Sequence, residues 1–171
     1  MRTRMPEAMA DKTLLLLLDE VRQKTLSELS GLDELHSRWT PPNLRNSCLW
    51  HAGHAYVVTE FLTMKALGRS PDLPDSWMKT FSWESNPAHI PADRWPHIDE
   101  VVAELQRQHV RLRGILAELT PEQLDAPEPG NPERTVRFAI LRGLHDEARH
   151  SGEVNLLRKM MRKSFIIGDA R

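Results

Sequence analysis

Leu144-His145-Asp146-Glu147-Ala148-Arg149-His150-Ser151-Gly152-Glu153 lies within a proline-free run of helical periodicity. At ~100° per residue, Asp146 and His150 project about 40° apart from one face of that helix. Ala139, Gly143, Val154 and Leu157 share the face, so both polar groups are aimed at an apolar neighbouring helix. A carboxylate taken out of water is costly unless it is paired or bound to a metal. A carboxylate and an imidazole one turn apart can grip one divalent cation, with a third ligand supplied by another helix. His145 points about 140° from His150 and has the wrong spacing. Glu147, about 60° from His150, can sit beside Asp146 or take its place.

The third ligand is sought in Trp50-His51-Ala52-Gly53-His54. Trp50, Val57, Val58 and Phe61 form an apolar stripe, and His54 lies within about 60° of each. His51 is displaced by roughly 60° towards Leu62, which makes it either an alternative ligand or a hydrogen-bond partner behind one. The plainer alternative is that Asp146 accepts a hydrogen bond from an imidazole or arginine across the helices, with no metal involved.

Outward from these stretches, the pattern is that of four long helices. The first runs from about Thr13 to Ser30 and stops at Gly31; Leu32 to Trp39 reads as a short helical turn. After Pro41 and Pro42, Asn43 is expected to cap a second helix running to about Leu67. Residues 69–96 carry Pro71, Pro74, Pro87, Pro91 and Pro96 with Trp77, Trp83 and Trp95, too aromatic for a free linker. They predict an ordered loop with a short helix near Ser76 to Phe81. A third helix spans about His97 to Leu119. Thr120-Pro121-Glu122-Gln123 reads as a capping box, and Asn131 and Pro132 are expected to cap a fourth helix running to about Lys163. The fold class is therefore all-α, an antiparallel four-helix bundle whose two long connections leave the topology open. Residues 1–171 make one domain, with 1–12 as a flexible N-terminus.

Composition narrows the function. A net charge of −1 in 171 residues, without a basic motif, argues against nucleic acid or an anionic membrane as partner. The five-residue apolar run Leu14–Leu18 is too short for a signal-peptide core or a membrane span. Cys48 is the only cysteine, which fits a reducing, cytoplasmic setting and rules out an internal disulfide or a zinc ribbon. Arg134, Arg137, Arg142 and Arg149 read as a solvated face, one of which can hold a substrate carboxylate.

Together, Trp50-His51-Ala52-Gly53-His54 and His145-Asp146-Glu147-Ala148-Arg149-His150-Ser151-Gly152-Glu153, with the proline-rich loop between the second and third helices, resemble the DinB-like superfamily. The resemblance covers most of the chain. It implies an up-down-down-up four-helix bundle holding one divalent metal through a helix-two histidine and a helix-four pair spaced by four. Carried onto this sequence, the ligands are His54, Asp146 and His150, with His51 as the alternative; the aspartate at 146 stands where many members have histidine. Gly152-Glu153 falls where many have Gly-Gln.

The resemblance further implies a metal-dependent transferase or hydrolase. It would use a low-molecular-weight thiol on a small electrophile, with Zn2+ as cofactor and Ni2+ or Fe2+ as the other candidates. A homodimer is expected on the same ground. Glu147 or Glu153 is a candidate proton acceptor if it faces the open side of the metal. The other reading is a non-catalytic metal-binding or dimerisation module. Trp77, Phe81 and Trp83 either line the pocket mouth or plug the end of the bundle.

Overall fold

The computed structural model describes residues 10–168, with side chains through residue 164. Four long helices carry it: α1 (Lys12–Leu29), α3 (Cys48–Ala66), α5 (Ile98–Ala117) and α7 (Val136–Gly168). Shorter helices lie between them, α2 (Glu34–Arg38), α4 (Trp77–Phe81) and α6 (Pro121–Asp125), with a small antiparallel hairpin of β1 (Pro127–Glu128) and β2 (Asn131–Thr135). The described residues are thus all-α apart from that hairpin. No described helix is long and apolar enough to cross a membrane.

Local chemistry sets the helix ends. The Asp11 carboxylate accepts from Leu14 N at 2.9 Å and starts α1 at Lys12, one residue before the expected start. The rest of the expected N-terminal segment, residues 1–9, lies outside the described residues. Gly31 follows α1 at φ +74°, a left-handed conformation that a Cβ disfavours. Two expected starts move. The cap of α3 is Ser47, whose hydroxyl accepts from Trp50 N, while Asn43 sits in the preceding turn at φ +72°. The fourth long helix begins at Val136, not at Asn131 and Pro132. Those two residues are spent on β2, which pairs with β1 around Gly130 at φ +79°. Thr135 then supplies the cap, its Oγ1 accepting from Phe138 N at 3.1 Å. The capping box at Thr120 and Gln123 forms as the sequence indicates.

Side-chain pairs fix how the long helices run. Arg22 meets Glu147 and Glu28 meets Asn155, so α1 and α7 advance together. His51 meets His150 and Thr59 meets Gly143, so α3 runs the opposite way. Arg22 reaches Leu105 while Asp19 meets Arg113, so α5 opposes α1. Gly143 permits the close approach of α3 and α7: a Cβ there would lie 3.3 Å from Thr59 Cα.

The apolar core has two parts. One gathers Leu49, Tyr56, Trp77, Phe81, Leu105 and Leu157; the other gathers Leu18, Met64, Leu112, Leu116, Leu124 and Ile140. A largely buried polar layer falls between them along α1, α3, α5 and α7. Arg22 and Glu147, both 0% exposed, pair through Nε–Oε1 at 2.7 Å and Nη2–Oε2 at 2.9 Å. Arg22 also donates to Gln108 Oε1 and to the Leu105 carbonyl. Gln108 donates in turn to Glu60 Oε2, which also accepts from Arg111. Every charge in this layer has a counter-charge and hydrogen bonds, the condition under which buried ions are tolerated.

Residues 69–96 are ordered, as expected of so aromatic a stretch. α4 sits within one residue of its expected start, flanked by 3-10 turns at Pro87–His89 and Ala92–Arg94. Trp77 and Phe81 pack edge to face and belong to the core, whereas Trp83 is 55% exposed and leans on Phe61.

Candidate metal centre

The α3–α7 contact brings His54, Asp146 and His150 together. Their potential ligand atoms all lie within 4.8 Å of one another. Asp146 Oδ2 stands 3.5 Å from both His54 Nε2 and His150 Nε2. Two donors each about 2.0–2.1 Å from a tetrahedral zinc lie about 3.3–3.4 Å apart, so these spacings suit one shared cation.

The hydrogen bonds behind the cluster decide where the protons are. His54 Nδ1 lies 2.5 Å from the Phe81 carbonyl, which can only accept. That contact puts a proton on Nδ1 and leaves Nε2 as the ring atom facing Asp146. His150 Nδ1 lies 2.7 Å from His51 Nδ1. With His150 donating, its Nε2 is a lone pair, and Arg149 Nη2 approaches that nitrogen at 3.4 Å as a donor would. Asp146 gives one oxygen, Oδ1, to Arg149 at 2.9 Å, while its Oδ2 is buried with no hydrogen-bond partner. Two imidazole nitrogens and one carboxylate oxygen thus converge. A buried acceptor left unsatisfied, as Asp146 Oδ2 is, is costly, and a cation shared by the three atoms would satisfy it. The residues present fit a divalent metal.

Electrostatics agree. Burial, reinforced by His150, His54 and Arg149, pushes His51 down to about 3. Burial and the neighbouring His54 push His150 down to about 4, against the pull of Asp146. Both rings are therefore neutral at physiological pH, the form that ligates metal. Burial tends to raise the Asp146 carboxyl, but the His54 edge that faces it and the Arg149 guanidinium outweigh this and hold it below the usual range.

Packing positions the ligands. Trp50 stacks on His54 at 4.5 Å between ring centroids, 18° from parallel, and its Nε1 donates to Ser85 Oγ at 2.9 Å. Gly53 lets α4 press against α3: a Cβ there would fall 2.4 Å from Phe81 Cδ1. That contact holds the Phe81 carbonyl on His54.

The other expected site residues are placed apart from the cluster. His51 sits behind His150 rather than among the three donors, the partner role foreseen as its alternative. Glu147 is in the buried pair with Arg22, which engages both its oxygens. Glu153 is exposed on α7, three residues beyond His150. Of the arginines read as a solvated face, Arg137 is bound to Asp11 and Asp125, and Arg149 to Asp146. Sequence reasoning missed the Phe81 carbonyl, because a backbone acceptor leaves no trace in residue identity. It also missed Arg22, although a lone arginine in register with Leu14, Leu15, Leu18 and Leu29 on α1 is a visible signal.

Comparison with known proteins gives the class. The DinB superfamily model matches residues 17–154, most of the chain, and the chain belongs to that superfamily. A crystal structure described as the conserved protein of locus from Enterococcus faecalis superposes with a TM-score of 0.68 at 17% sequence identity. The match covers 86% of this chain and 94% of that one, and at such identity it speaks for the fold alone. No curated protein matches the chain.

Proposed function

We propose that the chain is a divalent-metal-dependent enzyme that uses a low-molecular-weight thiol in transfer to, or hydrolysis of, a small electrophile. The observation that carries this reading is the convergence of two imidazole nitrogens with the orphaned, buried Asp146 Oδ2. His54, Asp146 and His150 would hold one metal, Zn2+ first, with Ni2+ and Fe2+ also suited to two imidazoles and a carboxylate. Three protein ligands leave coordination positions open. A metal so held lowers the pKa of a bound thiol or water and polarises a carbonyl as a Lewis acid.

The chain's own groups do the rest. The Phe81 carbonyl and His51 fix the ligand tautomers, and Arg149 neutralises the outer oxygen of Asp146. Glu153 is the proposed proton acceptor, because its carboxylate is solvent-accessible while that of Glu147 is engaged by Arg22. The helix directions support an up-down-down-up four-helix bundle forming one domain. A cytoplasmic homodimer with no nucleic-acid or membrane partner completes the proposal.

A second reading is favoured by one observation: His54 and His150 are only 5% and 7% exposed, as in closed structural sites. In that case the metal serves a binding or dimerisation module. Elemental analysis of protein purified without chelator tests the common premise, with about one equivalent of metal expected and His150→Ala abolishing it. Less than about a tenth of an equivalent, with no uptake on titration, overturns both readings. Metal without turnover of glutathione or cysteine with electrophiles such as chlorodinitrobenzene overturns the enzyme alone.

A further inference from the structure

A cavity of about 430 Å³ opens where the start of α3 meets the segment carrying the two 3-10 turns. Leu44, Ile90 and Trp95 give it apolar walls, and Arg38 and Arg45 bring two guanidinium groups. Its lining contains no carboxylate.

The positive charge is only partly compensated. Arg45 Nη2 donates to the neutral amide oxygen of Asn86 at 3.0 Å, and no carboxylate among the described residues pairs with it. Arg38 pairs with Glu34 through Oε1, while Oε2 of that carboxylate takes the Ile98 N–H at 3.0 Å and lies 3.4 Å from His97 Nδ1. Arg38 Nη1 donates to the Ala92 carbonyl, while its Nε–H is buried with no acceptor. Ser47, the cap of α3, also lines the cavity, and the first turn of that helix carries no acidic residue. Its partial positive end therefore adds to the field of the arginines.

A mostly apolar cavity of this size with a few convergent polar groups is the usual form of a small-molecule site. We propose that it binds a small organic carboxylate with an apolar or aromatic body, the anion held by Arg38 and Arg45 and the body against Trp95, Leu44 and Ile90. None of the metal-ligating residues lines the cavity, so this binding holds whether or not the chain takes up a metal.

Titration of the full-length protein with 2-naphthoate, followed by amide NMR, tests the proposal. Shifts confined to Leu44, Ser47, Ile90, Trp95 and their neighbours are expected, with a Kd of about 1 mM or tighter, a level that about thirteen well-packed non-hydrogen atoms support. The neutral 2-naphthamide should bind about tenfold more weakly, and Arg45→Gln should weaken naphthoate about tenfold. Arg38→Gln should do the same. If it unfolds the Glu34 and Ala92 contacts instead, Arg45→Gln, an exposed residue bound to an amide, decides the matter. Equal binding of the amide, shifts elsewhere on the molecule, or an Arg45→Gln variant that binds like the wild type overturns it.

Discussion

A histidine ligates through a nitrogen that carries no proton, so what stands behind the ring matters as much as the ring. His54 has a carbonyl behind it and His150 has His51. Such partners are typically worth ten- to a hundredfold in metal affinity. Replacing His51 with phenylalanine keeps the ring volume and removes the nitrogen that faces His150. Metal affinity is expected to fall by at least about tenfold while the helical circular-dichroism signal stays unchanged. Titration with Zn2+ against a competing chelator reads the loss, and an unaltered constant would show that His51 is mere packing. The three candidate ligands were legible because they obey a spacing: Asp146 and His150 stand one turn apart, and His54 lies on the apolar stripe of α3. The partners were not legible in the same way. His51 was visible only as a choice between two roles, since a helical wheel gives direction but not the depth at which a neighbouring helix sits.

At the scale of elements, the join between α3 and α4 controls the site. Gly53 is where the Phe81 ring lies against the helix, and an added Cβ would overlap that ring. Overpacking of this kind costs about 1–3 kcal/mol, against which alanine's better helix propensity returns up to about 1 kcal/mol. Gly53→Ala is therefore expected to lower the melting temperature by a few degrees and to weaken metal binding by displacing the Phe81 carbonyl from His54. Gly152, with open space around it, is the control: alanine there should leave both properties intact or raise stability slightly. Thermal melts with and without Zn2+ distinguish the two, and equal behaviour would refute the role given to α4. The long helices were readable from periodicity, and α4 from its aromatic content. The hairpin was not, because Asn131-Pro132 has the composition of a helix cap, and only pairing with Pro127 and Glu128 commits those residues to a strand.

For the whole molecule, the buried histidines tie stability to pH. An ordinary imidazole titrates near 6.5, whereas His51 and His150 are held down to about 3 and about 4 in the fold. The unfolded chain therefore binds protons that the folded chain refuses as pH falls below about 6.5. Stability is greatest above that value and declines as pH drops towards 4, by at most about 1.4 kcal/mol per unit for each ring. Denaturant melts of chelated protein between pH 7 and 5, above the range where carboxylates protonate, should show this slope, and His51→Phe should roughly halve it. A flat profile would mean that the rings are not buried as neutral species. The polar layer at the centre was the part least legible in sequence, because Arg22 and Glu147 are 125 residues apart and neither identity names the other.

That separation has a consequence for how the chain comes to be folded. During synthesis α1, α3 and α5 appear first, with a guanidinium at the middle of the first and two imidazoles on the second. Until α7 is made, Arg22 lacks its carboxylate and His51 lacks the imidazole it faces. A vectorial, helix-by-helix route would therefore stall in a loosened state, and final consolidation must await the closing of a very long loop.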